Sequence, residues 1–140
     1  MEMEDMDVGS KKILVIDDMP AILKVLRRQL EHWGFQAMTA GSGEEGLAQA
    51  ESGQPDLILL DILMPKMKGR EVCTALKANE RTKDIPIIFL SALGLSDHVR
   101  AGLDIGAEDY VIKPFKPDYL RERIKICLLR NSRNGGRGKY

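Results

Sequence analysis

The sequence predicts an α/β fold, a three-layer sandwich in which five parallel strands are covered by helices on both faces. Short apolar runs alternate with helically spaced apolar residues from about residue 11 to about residue 130. The runs carry apolar side chains on consecutive positions, which suits strands buried on both faces rather than half-exposed ones. Parallel neighbours need crossover connections, which the intervening helices supply with a right-handed sense.

The first strand is expected at residues 12–17, where Ile13, Leu14, Val15 and Ile16 are consecutive. Pro20 suits the first turn of the helix that follows, because its missing N–H costs nothing there. Ile22, Leu23, Leu26, Leu30 and Trp33 recur at helical spacing, and Gly34 stops that helix. A strand at 35–39 (FQAMT) leads to a less regular helix at about 43–52. Strand 56–60 (DLILL) precedes a helix around Val72 and Leu76, and strand 85–90 (IPIIFL) precedes a helix at about 96–105. The fifth strand is 109–112 (DYVI), and Pro117 opens a last helix with Leu120, Ile124, Cys127 and Leu128 on one stripe. Five strands with five helices fit the flavodoxin-like order 2-1-3-4-5, which binds ligands at the carboxyl ends of strands 1 and 3, where the order reverses.

A chain of 140 residues suits one domain with one substantial core. Apolar residues at 44% and charged residues at 30% are ordinary for a folded protein. Lys plus Arg and Asp plus Glu both number 21, so no overall charge excess points to nucleic acid or a membrane surface. Residues 1–10 (MEMEDMDVGS) read as a flexible acidic leader without the apolar core of a signal peptide, 11–130 as the folded domain, and 131–140 (NSRNGGRGKY) as a flexible tail or truncated linker. With no run of membrane-spanning length, a cytoplasmic location is expected. Cys73 and Cys127 lack a C-x-x-C pattern and lie on apolar stripes, so both are expected as buried free thiols. His32 and His98 have no neighbour at ligand spacing.

The residues that follow the strands carry the chemistry. Asp17 and Asp18 follow strand 1, Asp61 follows strand 3, Ser91 follows strand 4 and Lys113 follows strand 5. Brought to one sheet edge, three carboxylates cannot all stay ionised without a counterion. Hard oxygen ligands with no His or Cys suit Mg²⁺, or alternatively Mn²⁺. A lysine and a hydroxyl beside that cation make a place for a phosphoryl group, and Asp61 at the centre is the natural nucleophile. Taken singly, each Asp could be a helix cap, Ser91 a turn cap, Lys113 a solvated charge, and Met64-Pro65 with Gly69 mere turn chemistry. Independent caps have no reason to supply three acids, a hydroxyl and a lysine together.

D-D-M-P after strand 1, D-I-L-M-P-K-M-K-G after strand 3, F-L-S-A after strand 4 and G-A-E-D-Y-V-I-K-P-F around strand 5 together resemble the response-regulator receiver domain of two-component signalling, over residues 11–130. The resemblance implies that Asp61 accepts a phosphoryl group from a histidine kinase or a histidine phosphotransfer domain, with no turnover of another substrate. It implies that Asp18 and Asp61 hold Mg²⁺ with the backbone carbonyl of Leu63, that Asp17 assists through water, and that Lys113 and Ser91 bind the phosphoryl oxygens. It also implies a cis bond before Pro114.

In such domains the hydroxyl residue moves toward the phosphate and an aromatic on strand 5 turns inward behind it, and Ser91 and Tyr110 match those positions. For Tyr110 the alternative is a ring at a strand edge with its hydroxyl in water. The implied output surface joins the helix at 96–105, strand 5 and the last helix, with Arg100, Tyr110, Arg121 and Arg123. A downstream output domain or effector protein would read it, with no direct nucleic-acid or membrane contact by this domain; a phosphorylation-dependent homodimer would form through the helix at 96–105 and the last helix, although the charges there equally suit a solvated face. Leu63 and Leu93, two positions after Asp61 and Ser91, flank the path of hydrolytic water, and both are unable to orient it, so a slow self-dephosphorylation is expected. Residues 70–93 resemble receivers attached to diguanylate cyclases and hybrid kinases more than those of DNA-binding regulators.

Other readings fit less well. An aspartate-nucleophile phosphohydrolase of the haloacid dehalogenase type needs D-x-D-x-[TV] after strand 1, which IDDMP does not supply. A flavin binder would need a hydroxyl-rich phosphate loop where this chain has acids, and no P-loop is present. A pseudo-receiver that serves only for docking predicts gaps in the acid, hydroxyl and lysine set, and the set is whole.

Overall fold

The computed structural model describes residues 10–92, 101 and 103–133. Its elements run β1 (Lys12–Ile16), α1 (Pro20–His32), β2 (Gln36–Ala40), α2 (Gly43–Gly53), β3 (Leu57–Asp61), α3 (Gly69–Ala78), β4 (Ile87–Ser91), β5 (Asp109–Ile112) and α4 (Pro117–Arg133). All strand pairs are parallel and the sheet order is β2-β1-β3-β4-β5. Order and fold are those expected from the sequence. Of the helix expected at 96–105, Ala101, Leu103 and Asp104 are helical, while residues 93–100, with Leu93, His98 and Arg100, lie outside the described residues.

The strands differ from expectation by a residue or two at their ends. β4 begins at Ile87 rather than residue 85. Pro86 has no N–H to give, and its carbonyl accepts from Ile58 as the strand enters the sheet. β3 runs on through Asp61, and β4 through Ser91, so both candidate site side chains belong to the last strand residue rather than to the loop after it.

Side-chain alternation divides the core into two layers. Leu14, Ile16, Ile58, Leu60, Ile87 and Phe89 pack under α2 and α3, while Ile13, Val15, Leu57, Leu59, Ile88 and Leu90 pack under α1 and α4. The central strands β1, β3 and β4 are buried on both faces, which is why their sequences read as unbroken apolar runs. α1 starts at Pro20 and its chain turns out at Gly34 with φ +97°, a conformation that favours glycine.

Cys73 and Cys127 are buried free thiols, one in each layer. Burial pushes both thiols up to about 11, so neither is poised as a nucleophile. Among the described residues, no helix is long and apolar enough to cross a membrane.

Candidate functional site

The carboxyl ends of β1, β3, β4 and β5 converge, as an open parallel sheet requires at its topological switch point. Asp17, Asp18 and Asp61 each offer a carboxylate oxygen within 4.8 Å of the others. Asp17 and Asp61 are buried and Asp18 is half-buried. Lys113 reaches into the cluster from beyond β5, with its Nζ 3.3 Å from Asp17 Oδ2 and 4.0 Å from Asp61 Oδ1. The Lys113–Pro114 peptide is cis. The Lys113 amide donates to the Ser91 carbonyl at 2.8 Å, which ties the lysine to the end of β4.

Each acid is held by the chain that leaves its strand. Asp17 Oδ1 accepts from the Met19 amide at 2.9 Å, a turn that leads directly into Pro20 and α1. Asp61 Oδ1 accepts from the Leu63 amide at 3.3 Å, so the loop after β3 folds back over its own acid. Asp18 borders a cleft of about 340 Å³ between residues 41–43 and residues 64–67.

The cluster is short of positive charge. Burial raises the Asp61 carboxyl above its usual range, the Lys113 ammonium opposes this, and the neighbouring Asp17 and Asp18 push it further up. One lysine does not neutralise three acids. A hard divalent cation suits this all-oxygen donor set and its charge deficit, so the residues present fit Mg²⁺.

Ser91 is fully buried at the end of β4, and Tyr110 on β5 is 7% exposed. The Tyr110 ring packs on Phe89 with centroids 5.9 Å apart, and a hydrogen bond links its hydroxyl to Ser91. Burial raises the Tyr110 hydroxyl above its usual value, and the Ser91 bond and the charge of Arg70 partly offset this. The ring is therefore inside the fold, not at a wet strand edge.

Gly69 is a site residue whose role the sequence conceals. It opens α3, and a Cβ there would collide with the Asp61 carbonyl oxygen and come within 2.6 Å of Ile62 Cα. Its amide donates to the Ile62 carbonyl at 3.0 Å, which closes the loop that carries Leu63. The available signal was a glycine in the first turn of a helix, a place where most other residues form helix better. Leu63 itself is half exposed, at the mouth of the site.

The output face needs one correction. Arg123 pairs with Asp109 of β5, but Arg121 lies two positions away on the same helix, about 200° round its axis. Residues so spaced do not share a face. Arg121 falls instead on the stripe of Pro117 and Leu128, toward α1.

Residues 13–125 match the response regulator receiver domain family. The chain belongs to that family. RpaA of Synechocystis, a DNA-binding dual master transcriptional regulator, is 43% identical over 122 residues, which cover 87% of this chain and 51% of RpaA. PhoP of Bacillus subtilis, the alkaline phosphatase synthesis transcriptional regulatory protein, is 42% identical over 122 residues, 87% of this chain and 50% of PhoP. The chain spans about half the length of the curated relatives it matches. Among solved structures, a CheY-like receiver domain protein from Methanospirillum hungatei is similar with a TM-score of 0.83 at 30% identity, covering 90% of this chain and 99% of the other. Chemotaxis protein CheY4 of Vibrio cholerae is similar with a TM-score of 0.80 at 30% identity, covering 84% and 98%. The likeness of residues 70–93 to receivers of cyclases and hybrid kinases is not what these relatives reflect, since RpaA is by name a DNA-binding transcriptional regulator.

Proposed function

We propose that this receiver domain is a phosphoacceptor switch in which Asp61 takes a phosphoryl group from a phosphohistidine of a histidine kinase or histidine phosphotransfer protein. The observation that carries the reading is the convergence of three carboxylates within 4.8 Å with the Lys113 ammonium among them. An Asp61 oxygen forms the new P–O bond, the donor P–N bond breaks, and the imidazole leaves with a proton. Asp18 and Asp61, with the Leu63 carbonyl, would hold Mg²⁺, and Asp17 would assist through water. Bound there, the cation would neutralise the acids and the incoming phosphoryl oxygens. Lys113 moves its charge from Asp17 toward the transferred group, and the buried Ser91 hydroxyl supplies a further hydrogen bond.

Ser91 is already bonded to Tyr110, so any movement of Ser91 toward the phosphoryl group is felt by the ring on β5. That linkage supports Ser91 and Tyr110 as the two halves of the switch. A downstream output domain or effector protein then reads the change, and such a partnership with a kinase suits an intracellular location. Leu63 at the mouth of the site, together with Leu93, leaves hydrolytic water unoriented, so the phosphoryl group is long-lived. If Leu63→Asn combined with Leu93→Glu leaves the hydrolysis rate unchanged, that timing is wrong.

The test of the main reading is intact-mass spectrometry after incubation with a small acyl phosphate and Mg²⁺. One phosphoryl group should be gained, and the gain should vanish both in Asp61→Asn and without metal. If the chain neither gains phosphate nor binds beryllium fluoride, it is a docking module and the switch is abandoned.

A further inference from the structure

An apolar groove of about 500 Å³ lies between α1 and α4 and meets the chemistry proposed above only at Lys113. Ile22, Val25 and Trp33 of α1 form one wall, and Pro114, Phe115 and Leu120 form the other. Val25 leaves 63% of its surface in solvent, the most of any large apolar side chain among the described residues. Apolar surface in a concave place of this size marks a binding site.

The flank of α4 beside the groove carries Arg121 and Lys125, and although Asp118 and Glu122 stand three residues before them, neither cation pairs with either acid among the described residues. Pro117, Arg121, Lys125 and Leu128 follow one another at intervals of four, four and three, so they share one side of the helix. Pro117 lines the groove and Leu128 packs in the layer under α1, which turns Arg121 and Lys125 toward α1. Lys125 is 6% exposed and forms no ion pair among the described residues. Arg121 Nε is buried with no hydrogen-bond partner among them. Cations placed this deep call for an acidic partner.

The chain contains a segment of that chemistry. Residues 1–9 read MEMEDMDVG, in which Met1, Met3, Met6 and Val8 interleave with Glu2, Glu4, Asp5 and Asp7. This segment joins the fold at the foot of the groove, where the Ser10 amide donates to the carbonyl of Gly34, next to Trp33. Nine extended residues reach roughly 30 Å, whereas the 13 residues of α1 span about 20 Å. Methionine adapts to an irregular apolar wall, and a short tether supplies an effective concentration in the millimolar range.

We propose that residues 1–9 dock into the groove between α1 and α4 as an intramolecular strap, with the methionines against Val25 and Trp33 and the acids against Arg121 and Lys125. Docked there, the segment closes the apolar face that adjoins Ala92 and Lys113 and must be displaced before another protein can use it.

The chain provides its own probes. Trp33 is its sole tryptophan, and both native thiols are buried, so an introduced Val25→Cys is the readily alkylated site. The test compares the full chain with a variant in which Glu2, Glu4, Asp5 and Asp7 are all Lys, and with a chain lacking residues 1–9. The family match begins at residue 13, so that deletion leaves the domain whole. Both changes should red-shift Trp33 emission, raise its quenching by acrylamide and speed alkylation of Val25→Cys by iodoacetamide. High salt should shift the full chain in the same direction. Equal alkylation rates and equal quenching in all three proteins would overturn the proposal. So would protection that survives the deletion and grows with protein concentration, because the occupant would then be a second copy.

Discussion

At the scale of single residues, the proposed acceptor carboxylate works against the fold that holds it. Asp61 is buried beside two other acids, and its carboxyl is raised mainly by burial, with Lys113 compensating only in part. A carboxyl whose value is higher in the folded state destabilises the protein when ionised, so the cost exists at neutral pH and fades below the ordinary carboxylate range, where Asp61 is neutral in both states. In chelator at neutral pH, Asp61→Asn is therefore expected to melt higher than the parent chain, by on the order of 3 °C. Adding Mg²⁺ should raise the parent's melting point through binding to the folded state alone, and should raise the variant's less. A variant that melts lower than the parent in chelator would show that Asp61 is not under electrostatic strain, and thermal denaturation followed by circular dichroism reads both arms.

At the scale of elements, α3 has a start that local rules do not favour. Lys68 stands at its N-cap, where its ammonium can only donate and cannot accept the free amides of the first turn. Its positive charge also faces the positive end of the helix dipole. Glu71 supplies half of a capping box by accepting from the Lys68 amide at 2.9 Å. Lys68→Asp should therefore stabilise the domain by about 1 kcal/mol, measured as a higher midpoint of urea unfolding with an unchanged slope. Gly69 next to it should respond in the opposite sense, because a Cβ has the backbone of Asp61 and Ile62 in its way. Gly69→Ala is expected to cost roughly 1–3 kcal/mol and to reduce phosphoryl uptake, since the added Cβ would press on the backbone of Asp61 and on the loop that carries Leu63. Uptake unchanged at full stability would mean that the loop adapts and that the glycine serves only the turn. The pair also shows where sequence reading stops. The three acids, Ser91 and Lys113 were legible because strand ends have a fixed destination in a parallel sheet, whereas the contact of Gly69 with Asp61 exists only once α3 has packed. Pro86 likewise trimmed β4, a detail set by one missing amide rather than by the apolar pattern.

At the scale of the whole molecule, the layers followed from the alternation of buried strands and amphipathic helices and the strand order from the common arrangement of five such strands, but the assignment of residues to faces did not all survive. Arg121 and Arg123 are both basic and nearly adjacent in sequence, yet only Arg123 looks toward β5, where Asp109 takes it. Exposed apolar side chains at that end of the sheet give the remaining face its character: Ile112 at the end of edge strand β5 is 44% exposed, and Tyr119 on α4 is 48% exposed. An edge strand with an exposed apolar side chain is a surface that proteins usually cover. Tyr110 lies on the same strand, two residues before Ile112, and its hydroxyl bonds Ser91, so the proposed phosphorylation at Asp61 would have a short mechanical route to this face. Two copies of such an apolar edge set about a two-fold axis would cover each other. With Mg²⁺ and beryllium fluoride the full chain is therefore expected to sediment increasingly as a dimer, and without them as a monomer. Ile112→Glu should abolish the dimer by placing like charges opposite each other across the two-fold axis, while leaving beryllium fluoride binding intact, because the exposed Ile112 side chain is not among the groups proposed to hold the metal or the phosphoryl oxygens. A dimer that forms without the phosphoryl mimic, or that persists in Ile112→Glu, would separate self-association from the switch and assign it to another face.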